Sequence, residues 1–108
     1  MTTLNLKQND RLPKLRATLT DGSGNPIDLT GSSVVFRMKN FDGTGSLKVN
    51  GAATVITPAA GIVEYAWAAG DTDTAGTWIG EFAVTLAGLV QTVPSSGYVV
   101  VVIQPVLS

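Results

Sequence analysis

The chain has 108 residues, of which 44% are hydrophobic and 14% charged, and its formal net charge is −1. This length suits one domain with one hydrophobic core, and the low charged fraction excludes a disordered chain. Cysteine and histidine are both absent, which excludes disulfide bonds, thiolate or imidazole metal ligands, and histidine-dependent nucleophilic catalysis. We therefore expect a single domain over residues 1–108, with no enzymatic activity, no cofactor and no metal centre.

The distribution of charge and hydrophobicity also restricts the partners. The seven basic residues are scattered and the pI is near 5.0, whereas nucleic-acid binding requires a dense positive stripe. The N-terminus lacks the pattern of a secretion signal, and no apolar run approaches the ~20 residues that span a bilayer. We expect synthesis in a cytoplasm and neither nucleic acid nor a membrane as a partner.

The first half of the chain reads as short strands separated by turn residues. Leu4 and Leu6 share one face of an alternating segment, and residues 1–8 are expected to form an N-terminal arm or an edge strand. Residues 21–26 form a dense cluster of turn residues. The predicted strands in this half are residues 2–7, 15–20, 27–29 and 33–39.

The second half continues the same pattern with more regular alternation. Asn50-Gly51 is expected to break a strand, and Ala87-Gly88 is a tight hairpin signal. Residues 41–46, 71–76 and 94–97 are predicted loops or turns. The predicted strands in this half are residues 47–49, 53–57, 61–69, 77–86, 89–93 and 98–103.

About seven to nine short strands at this spacing, without a helical apolar period, predict an immunoglobulin-like antiparallel β-sandwich. A small barrel is the alternative architecture. The apolar residues that share one face of the most regular strands are expected to form the core. They are Phe36, Met38, Val63, Tyr65, Trp67, Trp78, Phe82 and Val84.

The last predicted strand is apolar on both faces, which a two-layer sandwich does not require. Either a loop of the same chain covers its second face or another subunit does, because an exposed flat apolar strand invites aggregation. We favour coverage of this face by another subunit. The expected interface residues are Leu4, Leu6, Val99, Val101 and Ile103.

Several carboxylate residues are candidates for chemical sites. Glu64, Glu81, Asp71 and Asp73 are the candidates for paired catalytic carboxylates, but alternation places both glutamates on solvent faces and both aspartates lie in a turn. Asp71 and Asp73, with Asp42 on another loop, are also candidates for binding a cation. In each case we favour a structural role, as a solvated or turn-forming carboxylate, over a catalytic or cation-binding role.

Trp67 and Trp78 are candidates for a carbohydrate-stacking platform. Each shares a strand face with another aromatic residue, Tyr65 beside Trp67 and Phe82 beside Trp78, which is typical of core packing. We therefore predict that both tryptophans are buried.

The segment 71–78 resembles the Asp-x-x-Gly-x-Tyr stretch before a late strand in immunoglobulin-like sandwiches. Trp78 stands where that pattern has its corner tyrosine. An indole can donate a hydrogen bond from its ring nitrogen in place of the phenol.

A longer series of motifs resembles the N-terminal domain of phage baseplate upper proteins and related small virion proteins. The likeness covers most of residues 4–102, and the order of the motifs is its specific feature. The motifs are Lys7-Gln8-Asn9-Asp10, Ile27 to Ser32 before Val34 to Met38, Gly61 to Trp67, Gly70 to Gly76, Glu81 to Thr85, and Gln91 to Tyr98.

This resemblance implies an immunoglobulin-like structural module of the phage virion. We expect it to assemble with other phage virion proteins and with copies of itself in the particle. It does not separate a baseplate or tail location from head decoration. The rival hypothesis is a carbohydrate-binding sandwich for weak attachment to a host surface. That function would need exposed aromatic residues and polar loops around residues 41–46 and 94–98.

Overall fold

The computed structural model describes residues 3–93 and 98–107. These residues form an all-β sandwich, as the alternation predicts. The only helical segment among them is a short 3₁₀ turn, Pro58–Ala60, so this part of the chain has no helix able to cross a membrane. The strands are β1 (Thr3–Lys7), β2 (Leu15–Thr18), β3 (Ser33–Asn40), β4 (Val49–Thr57), β5 (Ile62–Tyr65), β6 (Gly76–Leu86), β7 (Leu89–Val93) and β8 (Val99–Gln104).

One strand, β4, joins the two layers of the sandwich. Its first half, Val49 to Ala53, pairs with β3, whereas its second half, from Thr54, pairs with β5. The strand order along the hydrogen-bonded path is β1-β8-β6-β3-β4-β5-β2, with β7 also on β6. Because β4 belongs to both layers, a six-strand layer faces a three-strand layer built from β4, β5 and β2.

The sandwich is not purely antiparallel. β1 runs parallel to β8, with Thr3 opposite Val100 and Lys7 opposite Gln104. The backbone N–H of Gln8 continues this pairing by donating to the carbonyl of Gln104. Of the two expectations for residues 1–8, the described part of the segment is therefore an edge strand.

Strand β6 is the longest strand and organises the larger layer. β3 pairs along one side of it, and β7 and β8 lie end to end along the other. Val93 of β7 is opposite Phe82, and Val99 of β8 is opposite Gly80. The loop predicted at residues 94–97 lies outside the described residues.

The core is centred on an aromatic cluster that connects the two layers. The ring of Phe36 lies 5.0 Å from that of Phe82 in its own layer and 5.2 Å from that of Tyr65 in the other. Trp67 meets Tyr65 edge-on at 5.4 Å, a favoured geometry for aromatic pairs. All eight residues named above as core are buried: Phe36, Met38, Val63, Tyr65, Trp67, Trp78, Phe82 and Val84.

Two core positions need glycine because an aromatic ring occupies the space of a side chain. A Cβ on Gly80 would lie 2.6 Å from the ring of Phe36, and one on Gly51 would lie 2.9 Å from the ring of Tyr65. The expected break at Asn50-Gly51 is wrong, since β4 runs continuously through it. Glycine here makes room for a neighbouring ring instead of forming a turn.

Three other strand predictions need correction. Residues 27–29 form no strand, because Ile27 N–H donates to Leu19 and Leu29 N–H donates to Pro58, which are separate contacts and not a ladder. The strand predicted at 47–49 starts only at its last residue, as part of β4. The strand predicted over 61–69 ends at Tyr65, although Trp67 stays buried beyond its end.

Candidate interaction surfaces

The loop between β5 and β6 is fixed by hydrogen bonds to the core and to the segment after β1. Asp71 accepts from the Tyr65 hydroxyl at 2.6 Å and from the Ala68 N–H at 2.8 Å. Burial and this contact with Asp71 raise the pKa of Tyr65 far above its ordinary value. Thr72 donates from Oγ1 to the carbonyl of Asp10. Asp71 is therefore part of the scaffold.

The other proposed carboxylates also have local roles. Glu64 accepts from Arg16 at 3.1 Å across β5 and β2. Asp73 pairs with Lys48, which lowers the pKa of the Asp73 carboxyl. Glu64, Asp71 and Asp73 therefore each contact a different partner, and these contacts do not form the pair of facing carboxylates that the catalytic hypothesis needs. Glu81 lies on the outer face of β6, opposite Arg37 of β3.

The carboxylates proposed as cation ligands likewise form hydrogen bonds within the chain. Asp42 accepts from the side chain and the backbone N–H of Thr44, and these hydrogen bonds lower the pKa of Asp42. Within residues 3–93 and 98–107 there is no group of three or more acidic side chains placed to hold a metal ion.

Both tryptophans are unavailable for stacking on a sugar. Trp67 is buried and donates from Nε1 to the carbonyl of Pro13 at 3.1 Å. Trp78 donates from Nε1 to the carbonyl of Thr74 at 3.3 Å. This bond to the backbone four residues upstream is the contact that the tyrosine-corner resemblance predicts for an indole.

The prediction that Val99, Val101 and Ile103 of the last strand form an interface is wrong. Val101 is 0% exposed and Ile103 is 2% exposed, and Val99 and Leu6 are also buried in the core of the same chain. Leu4 is partly buried against that core. In the parallel pairing of β1 with β8, Leu4 is opposite Val101 and Leu6 is opposite Ile103. The four buried side chains are therefore not available to a partner.

The opposite face of β8 is partly covered by its own chain. Val100 pairs with Ile79 of β6, which is buried although it points away from the core. Beside Ile79, Leu47 and Tyr98 border a shallow depression of about 290 Å³. The depression is also lined by Arg37, Lys39, Gly43, Gly80 and Glu81.

Three exposed apolar side chains lie close together in sequence on the β6–β7 hairpin. Leu89 is 77% exposed and Val90 is 65% exposed, and Leu86 at the end of β6 is also exposed. Together with Ile27 they border a shallow depression of about 190 Å³. We call the surface formed by Ile27, Leu86, Leu89 and Val90 the hairpin patch.

Strand β7 also has an open backbone edge. Among the described strands it pairs with β6 alone, and its sequence Leu-Val-Gln-Thr-Val has no charge and no proline. Natural edge strands usually carry a charge, a proline or a cover against unwanted pairing. The edge strand β2 follows that rule, since Arg16 on it forms an ion pair with Glu64.

The sequence pattern predicts strand β7 but not the exposure of its side chains. The signal that was available is the run of five uncharged residues directly after a two-residue hairpin loop. Alternation alone assigns such a strand one buried face, and it does not show that the sheet ends there.

Comparison with known proteins identifies a structural relative but no family. No protein-family model matches the chain, and no curated protein matches it. Among solved structures, the N-terminal domain of phage TP901-1 ORF48 superimposes with a TM-score of 0.67 and 12% sequence identity, covering 94% of this chain and 84% of that one. At this identity the match shows a shared fold.

Proposed function

We propose that this chain is a non-enzymatic assembly subunit of a tailed-phage virion that acts through contacts with other virion proteins and with copies of itself. The observation that carries the proposal is the uncharged, exposed β7 edge, on a sandwich that shares its fold with a domain of a phage protein. The motif order over residues 4–102 supports the same function independently.

The physical basis of the assembly is backbone pairing combined with apolar burial. An open strand edge offers hydrogen bonds that any extended partner segment can complete, and adjacent apolar side chains add specificity. The hairpin patch supplies those side chains beside the edge.

The proposal is tested by asking whether the chain is part of the particle. Tailed-phage particles from the source of the sequence would be banded in a density gradient and analysed by mass spectrometry. All basic residues precede residue 49, so trypsin leaves residues 49–108 uncut, and a protease specific for acidic residues extends the coverage to that segment. We expect the chain at a fixed ratio to known tail proteins across the band; its presence only in the soluble lysate would overturn the proposal.

The carbohydrate-binding alternative is favoured by one observation, the depression beside Tyr98. Tyr98 is 44% exposed, and Arg37, Lys39 and Glu81 provide polar groups around it, a combination that suits a sugar ring. Glycan-array binding that is lost in Tyr98→Ala and kept in Leu89→Ala would support this function. Absence of binding by the wild-type chain would reject it.

A further inference from the structure

The hairpin turn determines which backbone groups of β7 face outward. Ala87 and Gly88 both have positive φ, at 52° and 81°, as a type I′ two-residue loop requires. In such a hairpin the flanking pair, Leu86 and Leu89, exchanges both hydrogen bonds, and every second pair after it does the same. Residues 89, 91 and 93 therefore bond to β6, and Val90 and Thr92 direct their N–H and C=O groups to the open edge.

We propose that this edge pairs with the β7 edge of a second copy of the same chain, antiparallel and centred on Gln91. In this register Val90 is opposite Thr92 of the second copy, and the reverse pair is equivalent by two-fold symmetry. These two pairs exchange four hydrogen bonds, which satisfies every outward-facing N–H and C=O of both strands. A shift of the register in either direction leaves some of them unpaired.

The side chains of β7 fit a copy of themselves. Gln91 lies on the two-fold axis, and an amide is its own complement because it carries both donors and an acceptor. Val90 and Thr92 form cross-strand pairs of β-branched residues, which stabilise antiparallel sheets. The strand has no charged residue, so self-pairing brings no like charges together.

The surroundings of the edge also favour a second copy over a partner selected by charge. Among the residues that border the hairpin depression, only Asp28 is charged. In the dimer, Leu89 of each copy approaches Val93 of the other, which covers part of the hairpin patch. Two-fold, isologous contacts of this kind are the commonest in soluble oligomers.

This inference rests on the proposed function, since it names one partner of the assembly subunit. The two can nevertheless fail separately. A chain that is present in particles but monomeric in solution would overturn the β7 dimer alone. A dimer that is absent from particles would overturn the virion role alone.

The first test measures mass by light scattering over a concentration series. We expect the wild-type chain, 11.2 kDa as a monomer, to approach twice that mass. Thr92→Pro removes an outward N–H without removing a bond to β6, so it should be a folded monomer with unchanged far-ultraviolet circular dichroism. Thr92→Val keeps the N–H and should dimerise. A wild-type monomer at every concentration, or equal masses for wild type and Thr92→Pro, would overturn the inference.

The second test uses cross-linking and does not depend on a disruptive variant. Directly opposed residues in a non-hydrogen-bonded pair have Cα atoms about 4.5 Å apart, within disulfide range. Because the chain has no cysteine, Gln91→Cys should form a disulfide-linked dimer rapidly under mild oxidation. Thr18→Cys, exposed on the edge strand β2, is the matched control and should cross-link at least tenfold more slowly. Equal rates would contradict the proposed pairing.

Discussion

Two regions of the same strand, β6, have opposite environments. Phe82 lies in the aromatic cluster at 0% exposure, whereas Leu86, four residues later on the same face, is 45% exposed. Phe82 has Phe36 beside it and Tyr65 of the opposing layer close to that ring. Leu86 lies where the sheet ends at the hairpin turn. Alternation therefore determines which way a side chain points, and the extent of the opposing layer determines whether it is buried.

The two regions also differ in their polar contacts. Around the aromatic cluster, Trp67 bonds to Pro13 and Tyr65 bonds to Asp71, so the polar atoms of these buried rings have partners. At the hairpin, the outward N–H and C=O groups of β7 face the open edge. The first region stabilises the fold, and the second is available for contact with another chain.

The largest expected effect comes from truncating the aromatic cluster. Trp67→Ala should lower the free energy of unfolding by about 3–5 kcal/mol, because it leaves a cavity and removes the bond to Pro13. Leu89→Ala is the matched control on the hairpin patch and should change it by less than about 0.5 kcal/mol in dilute monomer. Urea denaturation measures both, and similar losses for the two variants would contradict the contrast between the regions.

A smaller loss in the free energy of unfolding is expected when a side chain is added in the space beside Phe36. Gly80→Ala should cost about 1–3 kcal/mol, because the added Cβ overlaps the Phe36 ring and the adjacent backbone. Gly22→Ala is the control, since nothing lies within 4 Å of the Cβ that it would add. Thermal unfolding of both variants tests this, and a stabilised Gly80→Ala would show that the core is looser than the ring contacts indicate.

Much of the fold could be predicted from the sequence because strand alternation is a local signal. The spacing of Val63, Tyr65 and Trp67 predicts that they share one buried face, and all three lie in the core. The failures came from long-range contacts. The Asn50-Gly51 pair predicts a turn, but the role of Gly51 depends on the ring of Tyr65 from another strand.

The interaction surface was less predictable for the same reason. The apolar run of β8 predicts an uncovered face, but its inward residues lie in the core, beside Leu6 of the parallel strand β1. The pairing of β1 with β8 joins the two ends of the described chain, and no local pattern specifies it. The exposure of Leu89 and Val90 likewise follows from where the other strands end.

The smallest expected effect on stability comes from removing the Tyr65 hydroxyl, which bonds to Asp71 at the aromatic cluster. Burial and Asp71 raise the pKa of Tyr65 in the folded chain, whereas an unfolded tyrosine ionises near pH 10. The contribution of this group is therefore fully present below about pH 10 and is lost as the pH rises toward the folded value. Tyr65→Phe should cost about 1 kcal/mol at pH 7 through the lost hydrogen bond.

Above pH 10 the wild-type chain should lose stability more steeply than Tyr65→Phe, by up to about 1.4 kcal/mol per pH unit. Urea midpoints between pH 7 and 11 measure this difference, and the lysines titrate in both proteins and so do not contribute to it. Parallel curves would mean that the Tyr65 hydroxyl reaches solvent. The core end of the sandwich would then be as open as the hairpin, and the distinction between a closed scaffold and an open edge would not hold.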